Sequence, residues 1–358
     1  MATILVVGGA GYVGSVLAQE LLERGYAVRI ADRMYFGDHG LTEIRDRVEV
    51  VREDMRTLSP AVLDGVEAVI NVGGLSNDPT AEYNPSANYE MNTKATTALA
   101  ELCKQHGVRR YVLASSCSIY DRGVGDEARD VLLDEESDVD PPGAYAGSKL
   151  AAESQILPLG DDKFTAVALR KATLYGFSPR MRYDLVVNTF VKDALSKGYI
   201  SLHFGGEMWR PLADVRDAAR AYIALLRADS SRVNGQVYNL VYRNFRISEL
   251  ALRVREALRA LDIDVEIRTD YSYRGVRNYR VSGAKLGDQT RFEPELSVEE
   301  AVRSIVDGVQ RLKYTDFDNP RYYNIQWMRL LEEAQHIIRI TGSVFETPSQ
   351  PGLRVQQS

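Results

Sequence analysis

Two stretches of this 358-residue chain combine residue types and spacings that can do chemistry. In Tyr145-Ala-Gly-Ser-Lys149 a phenol precedes an amine by four residues. On a helix that spacing puts both side chains on one face, one turn apart. An ammonium so placed, together with the positive ring of a nicotinamide, lowers the phenol pKa toward neutrality, which fits Tyr145 to exchange a proton with a hydroxyl. The other stretch is Gly8-Gly-Ala-Gly11-Tyr-Val-Gly14. Its glycines suit a tight turn, a close approach of backbone to a pyrophosphate, and a helix packed on a strand. The N-terminus of that helix offers free N–H groups and positive potential to phosphate. Asp32 ends the next apolar run. A carboxylate there accepts hydrogen bonds from an adenosine ribose and repels a 2′-phosphate, so NAD is expected rather than NADP, with Arg33 beside it softening the preference. Asp54 is a second acid placed to meet adenine, with Met55 next to it, although spacing alone equally suits a solvated loop carboxylate. The expected cofactor contacts are thus Gly8, Gly11, Tyr12, Val13 and Gly14 in the loop, and Asp32, Arg33, Asp54 and Met55 beyond it.

These groups need a frame, and the hydrophobic pattern provides one. Strands are expected at Ile4–Val7, Val28–Ala31, Val48–Val51, Ala68–Val72, Tyr111–Ala114 and Thr165–Arg170. Helical periodicity runs through Tyr12–Arg24, Thr93–Gln105 and Ala144–Gln155. Strands alternating with helices at this spacing predict an α/β fold with a doubly wound parallel Rossmann sheet. After Gly176 the pattern becomes less regular, with helices at Leu185–Leu195, Asp214–Arg227, Ile247–Leu261 and Ser297–Lys313 and strands at Ile200–Phe204, Val237–Leu240 and Val265–Thr269. The expected division is a nucleotide-binding unit over residues 1–176, to which segments within 211–245 return, and a smaller α/β substrate-binding lobe over 177–313. A C-terminal extension follows at 314–358. Within it Trp327–Ile340 reads as a helix with Trp327, Met328, Leu331, Ala334 and Ile338 on one stripe, suited to docking or dimer contact, and Thr347–Ser358 reads as disordered.

Composition removes several classes of function. Hydrophobic residues make up 45% and charged residues 26%, which is ordinary for a folded soluble protein and excludes disorder throughout. The net charge of −6 argues against a nucleic-acid-binding surface across the whole chain. No apolar run is long enough to span a bilayer, and the start lacks a signal-peptide pattern, so a cytoplasmic, reducing setting is expected. Two cysteines, Cys103 and Cys117, are too few for a disulfide framework, and four scattered histidines give no metal-ligand spacing, so no metal is expected. The 20 tyrosines against 9 phenylalanines are unusual, with clusters in Asp270–Tyr279 and Tyr314–Tyr323.

The G-x-x-G-x-x-G loop together with Tyr145-x-x-x-Lys149 resembles the extended short-chain dehydrogenase/reductase family, the nucleotide-sugar epimerases and dehydratases, over residues 1–310. The resemblance implies NAD, with Asn92 in Tyr-Glu-Met-Asn behind the nicotinamide and Tyr145 and Lys149 also touching the cofactor. It implies a catalytic hydroxyl at Ser116 in Val112-Leu-Ala-Ser-Ser-Cys-Ser-Ile-Tyr120, which would orient the reacting oxygen against Tyr145, with Ser118 a second candidate. Substrate contacts are implied at Ser76 and Asn77 after Val69-Ile-Asn-Val-Gly-Gly-Leu75, and at Thr173, where many relatives carry Asn. An amide at Asn188 and arginines at Arg210 and Arg277 match groups that hold a nucleotide diphosphate, with Arg274 competing for the Arg277 role. Guanidinium forks suit that ligand. The partner implied is a UDP-, dTDP-, GDP- or CDP-linked sugar, and the assembly a homodimer through a four-helix bundle of Thr93–Gln105 and Ala144–Gln155.

The departures narrow the reaction. Dehydratases of the family place an Asp-Glu pair directly after the catalytic hydroxyl, where this chain has Cys117 and Ser118, so elimination of water is disfavoured. The cysteine of a 3,5-epimerase would fall at Ser118, one residue from Cys117. What remains is a 4-epimerase-type oxidation at a sugar hydroxyl, with hydride passing to NAD and returning. Alternatives are a nucleotide-sugar 4-ketoreductase or dehydrogenase using the same residues in one direction, and an inactive NAD-binding scaffold, although Tyr145 and Lys149 are both present. Reductases of smaller ketones usually prefer NADP and lack the arginine clamp.

Overall fold

The computed structural model describes residues 2–121, 131–271 and 277–342. Arg274 and the Pro, Gln and Ser-rich stretch expected to be disordered lie outside the described residues. The seven strands of the central sheet are β1 (Thr3–Val7), β2 (Ala27–Ala31), β3 (Glu49–Val51), β4 (Val66–Asn71), β5 (Arg110–Ser116), β6 (Thr165–Lys171) and β7 (Val237–Leu240). They pair in the order β3-β2-β1-β4-β5-β6-β7, every pair parallel. Helices cover both faces, so the strands read as unbroken apolar runs: Ile4, Leu5, Val6 and Val7 are all buried. The chain moves outward from β1 to β3 and then resumes at β4 on the other side. The crevice between the carboxyl ends of β1 and β4 is where such a sheet takes its ligand.

Helix α1 (Tyr12–Glu23) starts directly after the glycine loop and buries Val16, Leu17 and Leu21 against the sheet. Asp78–Tyr83 forms the short helix α2, and α3 (Thr96–Gln105) and α4 (Ala144–Ile156) follow. The helix expected from Thr93 has a different start. Glu90–Ala95 is π-helical, and Thr96 Oγ1 donates to the Met91 carbonyl five residues back. Such an extra residue per turn is costly and is commonly kept where a side chain must be re-aimed; here the segment carries Asn92.

Beyond Lys171 a second sheet pairs Thr173–Tyr175 in parallel with Trp209–Asp214, which pairs antiparallel with Arg243–Arg246. Tyr199–His203 and Glu266–Asp270 make a two-stranded parallel sheet. The longer helices of this half are α5 (Val186–Lys197), α6 (Val215–Arg227), α7 (Ile247–Arg259) and α8 (Val298–Leu312). Helix α8 opens with a capping box in which Ser297 and Glu300 satisfy each other's backbone N–H. Helix α9 (Asn324–Thr341) ends the described chain. Its expected stripe is half-buried at Trp327, Met328, Leu331 and Ala334, but Ile338 is exposed along with Ile337 and Ile340. Tyrosines of the preceding segment that the pattern left unplaced form an aromatic cluster with Tyr183, whose ring centroid lies 5.0 Å from Tyr322 and 5.4 Å from Phe317.

One buried ion pair ties the cofactor-side helices to the sheet. Glu153 on α4 and Arg170 on β6 meet at 2.6 Å, their side chains 3% and 7% exposed. Arg170 also donates to Tyr120 Oη at 2.7 Å, and Tyr120 donates to Asn239 Oδ1 on β7. Removing one partner strands the other charge in the core. Glu153→Ala should lower unfolding free energy by roughly 3–5 kcal/mol in urea melts. A loss near zero would show that Arg170 finds solvent.

Candidate active site

A cleft of about 340 Å³ opens at the carboxyl ends of β1 and β4. Its floor is glycine because nothing else fits. A Cβ on Gly8, where φ is +79°, would lie 2.6 Å from Gly73 Cα, and one on Gly14 would collide with the Gly8 carbonyl. The two loops therefore meet backbone to backbone, leaving main-chain N–H groups to face a ligand. Asp32 directly follows β2, its Oδ2 accepting from Ala10 N–H at 3.0 Å and its Oδ1 from Met34 N–H at 2.7 Å, which fixes the carboxylate in the cleft and leaves each oxygen a free lone pair. Arg33 turns to Asp54, at 2.7 Å, and Asp54 also takes Arg56, so guanidinium groups hold its carboxyl down to about 2. Gly8, Gly11, Tyr12, Val13, Gly14, Asp32, Arg33, Asp54 and Met55 all line the cleft. This cradle fits a dinucleotide.

At the other end Ser116, Tyr145 and Lys149 line the same cleft, with Ser76, Asn77 and Thr173 around them. Ser116 closes β5, where its Oγ accepts from Ser118 N–H at 3.1 Å, and it hydrogen-bonds Tyr145. Lys149 is buried one helical turn along α4, and its pKa falls to about 8 because burial disfavours the charged amine, while Glu153 works against the fall. The protein groups alone do not lower the Tyr145 pKa. Burial raises it, helped by Asp78, and the bond from Ser116 and the charges of Arg182 and Arg277 only partly compensate. A desolvated phenol stays protonated unless a further positive charge approaches it.

Four expected contacts stand away from the cleft lining. Asn188 is fully buried and its amide is committed: Oδ1 accepts from Gly176 N–H, and Nδ2 donates to Tyr12 Oη and the Arg182 carbonyl. Ser118 is buried below the strand end, next to Cys117, whose thiol donates to the Arg170 carbonyl. Asn92 supports the cleft from behind. It accepts from Leu75 N–H at 2.9 Å and donates to the Leu75 carbonyl at 2.8 Å, and a Cβ on Gly74 would collide with its amide oxygen. Arg210 lies over the Tyr279 ring and donates to the Arg277 carbonyl. Arg277 itself reaches the cleft, paired with Asp78 and, at 2.9 Å, with Asp121.

Three cations the motifs did not single out also line the cleft. Arg180 is 2% exposed, with its guanidinium 3.8 Å over the Phe36 ring and Nε without a partner. Arg182 pairs with Asp184 at 2.8 Å and reaches Ser76 Oγ at 3.4 Å, with Nη2 buried and unpartnered. Lys171 donates to the Ser115 carbonyl at 2.9 Å, and burial together with the nearby Lys149 lowers its pKa to about 7. Arginines inside Ser-Pro-Arg-Met-Arg carry no spacing signal; the only hint was their number in an acidic chain. Among the described residues no cluster of His, Cys, Asp and Glu suits a metal, and no helix is long and apolar enough to cross a membrane.

Residues 4–240 match the model of the NAD dependent epimerase/dehydratase family, and the chain belongs to that family of enzymes, whose cofactor is NAD. It is 27% identical over 238 residues to UDP-glucuronic acid decarboxylase 1 of Xenopus tropicalis, covering 64% of this chain and 55% of that protein, so it spans little more than half that relative's length. To the UDP-N-acetyl-alpha-D-glucosaminuronate decarboxylase of Bacillus cytotoxicus it is 22% identical over 322 residues, 86% of this chain and 98% of the other. The crystal structure of a UDP-glucose 4-epimerase from Thermotoga maritima shares the fold, with a TM-score of 0.76 at 20% identity over 87% of this chain and 99% of that one.

Two outcomes follow from the charges. Asp32→Ala should weaken NAD binding and relax discrimination against NADP in direct titrations, and an unchanged preference would remove Asp32 from the ribose. Lys171 binds its proton more weakly folded than unfolded, so its contribution to stability rises with pH from about 7 to the ordinary lysine value of about 10.4. Lys171→Met should therefore stabilise most at about pH 6, the gain shrinking toward about pH 10 in denaturant melts. A difference constant across that range would mean the amine is not depressed.

Proposed function

We propose that the protein is a nucleotide-sugar epimerase that oxidises one sugar carbon and reduces it again from the other face. The observation that carries this reading is the reacting end of the cleft. It holds Ser116, Tyr145 and Lys149, while the two positions after Ser116 are turned into the core. Tyr145 takes the hydroxyl proton of the sugar and later gives it back, and Ser116 holds the oxygen in line with the phenol. Lys149, buried beside the site, favours the phenolate once it forms. The glycine cradle would hold NAD, which when bound would supply the hydride acceptor and donor. Neither Cys117 nor Ser118 can reach the sugar as an acid or base, which speaks against elimination of water.

Arg277 contacts the nucleotide diphosphate in this reading, exchanging Asp78 and Asp121 for phosphate, and Arg210 fixes the backbone that carries it. A UDP-sugar is the first choice of substrate, because the relatives described above are each named for a UDP-sugar. The unpartnered Nη2 of Arg182 favours a second reading, an acidic sugar. Oxidation beside a carboxylate could then end in loss of carbon dioxide, as the names of two relatives describe. The chain pairs with a second copy through α3 and α4, where Leu102, Leu150 and Ala151 are half-exposed.

The decisive experiment incubates the protein and NAD with UDP-, dTDP-, GDP- and CDP-linked sugars, uronates included, and follows mass and NMR. An isomer of unchanged mass supports the epimerase, loss of carbon dioxide the second reading, and loss of water or a change of two hydrogens neither. Tyr145→Phe should keep NAD binding and slow turnover by roughly a hundredfold or more, and a fully active variant would overturn the proton role.

A further inference from the structure

The segment after α8 lies beyond the part of the chain that matches the family model, yet it supplies part of the cleft wall. Asn324, the first residue of α9, is 6% exposed and uses its backbone N–H and both side-chain polar atoms there. Its Oδ1 accepts from Arg180 Nη2 at 2.7 Å, its Nδ2 donates to Ser76 Oγ at 2.7 Å, and its backbone N–H donates to Asp184 Oδ2 at 3.1 Å. One turn on, the Trp327 indole N–H donates at 2.6 Å to the carbonyl of Tyr35, in the loop that follows Asp32. Met328, next to Trp327, lines the cleft. The segment is itself held in place. Tyr183 N–H donates to the Tyr322 carbonyl, Tyr183 Oη to the Tyr314 carbonyl, and Tyr314 Oη to the Pro179 carbonyl, the last two at 2.8 and 2.7 Å.

We infer that α9 is a strap across the dinucleotide half of the cleft, with Asn324 and Trp327 as positioning residues that slow the escape of NAD. Asn324 is fastened to both ends of the cleft, but the contacts that reach the loop after Asp32 bear on the cofactor. Trp327 holds the loop whose Met34 N–H fixes Asp32, and Asn324 holds the guanidinium that stacks on Phe36 of the same loop. Release of a dinucleotide past this loop requires the loop to move, and the strap opposes that movement. The inference deepens the epimerase reading, which needs NAD and the oxidised sugar to stay together between the two hydride steps, but its test involves no sugar.

The test measures NAD dissociation from the full-length protein by chasing bound NAD with excess unlabelled cofactor. Asn324→Ala should release NAD about tenfold faster, the effect of losing roughly one net buried hydrogen bond, and Trp327→Phe severalfold faster. Leu330→Ser, on the exposed side of α9, should match the parent. Thermal melts in saturating NAD establish that each variant is folded; if Asn324→Ala is not, Trp327→Phe and Met328→Ala carry the comparison. Folded variants that release NAD within twofold of the parent overturn the strap. Tight NAD with no epimerised product in the sugar panel would instead reject the epimerase reading and leave the strap standing.

Discussion

The site depends on one close approach, that of the Gly8 loop to the Gly73 loop. The two strands that carry these loops run side by side, and the 2.6 Å that would separate a Gly8 Cβ from Gly73 Cα admits no side chain. Because the backbones touch, the crevice is floored with peptide groups rather than side chains, and main-chain dipoles can serve a pyrophosphate. Because the chain diverges at this point, the ends of β1, β2 and β3 face one side of the ligand and the ends of β4, β5 and β6 the other. Asp32 and Asp54 come from the first group and Ser116 and Lys171 from the second. Tyr145 and Lys149 are added by α4, which packs on β5.

A second constraint is charge. The chain carries a net −6, yet Arg180, Arg182, Lys149, Lys171 and Arg277 converge on one cleft. Burying cations together costs free energy, and the depressed amines at Lys149 and Lys171 show that cost. Some of it is offset inside the protein, by Asp184 for Arg182 and by Asp78 and Asp121 for Arg277. An anionic ligand entering the cleft would relieve the remainder. Tyr145 belongs to the same balance. Burial raises its phenol pKa, Arg182 and Arg277 pull it back only in part, and an added positive charge in the cleft would lower it further.

Most of the frame was legible because parallel strands buried on both faces and amphipathic helices leave strong patterns. Every strand of the central sheet lies within two residues of its expected place, and Val237–Leu240 coincides. The glycine loop, Asp32 and the Tyr-Lys pair could be picked out by their spacing, and the fold brings them to one cleft. The π-helical Glu90–Ala95 was not, since one extra residue in a turn leaves no trace in periodicity. Asn188 was misleading for a related reason. Its residue type suits an anion contact, but its partners are the Tyr12 hydroxyl, Gly176 and the Arg182 carbonyl, far away in sequence or hidden in a loop. Arg180, Arg182 and Asn324 were unreadable because each acquires its role from a partner that only the tertiary fold brings near.

That last group bears on how one family divides its chemistry. The atoms that move protons and hydride sit on the shared frame, so an epimerase and a one-way oxidoreductase can have the same Tyr, Lys and Ser. What separates them is whether cofactor and intermediate leave between half-reactions, and that is a property of the walls. In this chain the wall over the loop after Asp32 comes from α9, outside the stretch the family model matches, and it is fastened through one asparagine to both halves of the cleft. A cofactor that must be exchanged at each turnover gains nothing from such fastening, because the same contacts would slow its release. A cofactor that is oxidant and reductant in turn gains from it directly, since each early escape strands a ketone. The proposed strap would serve the second of these demands and hinder the first, and it would do so through a wall rather than through any catalytic group.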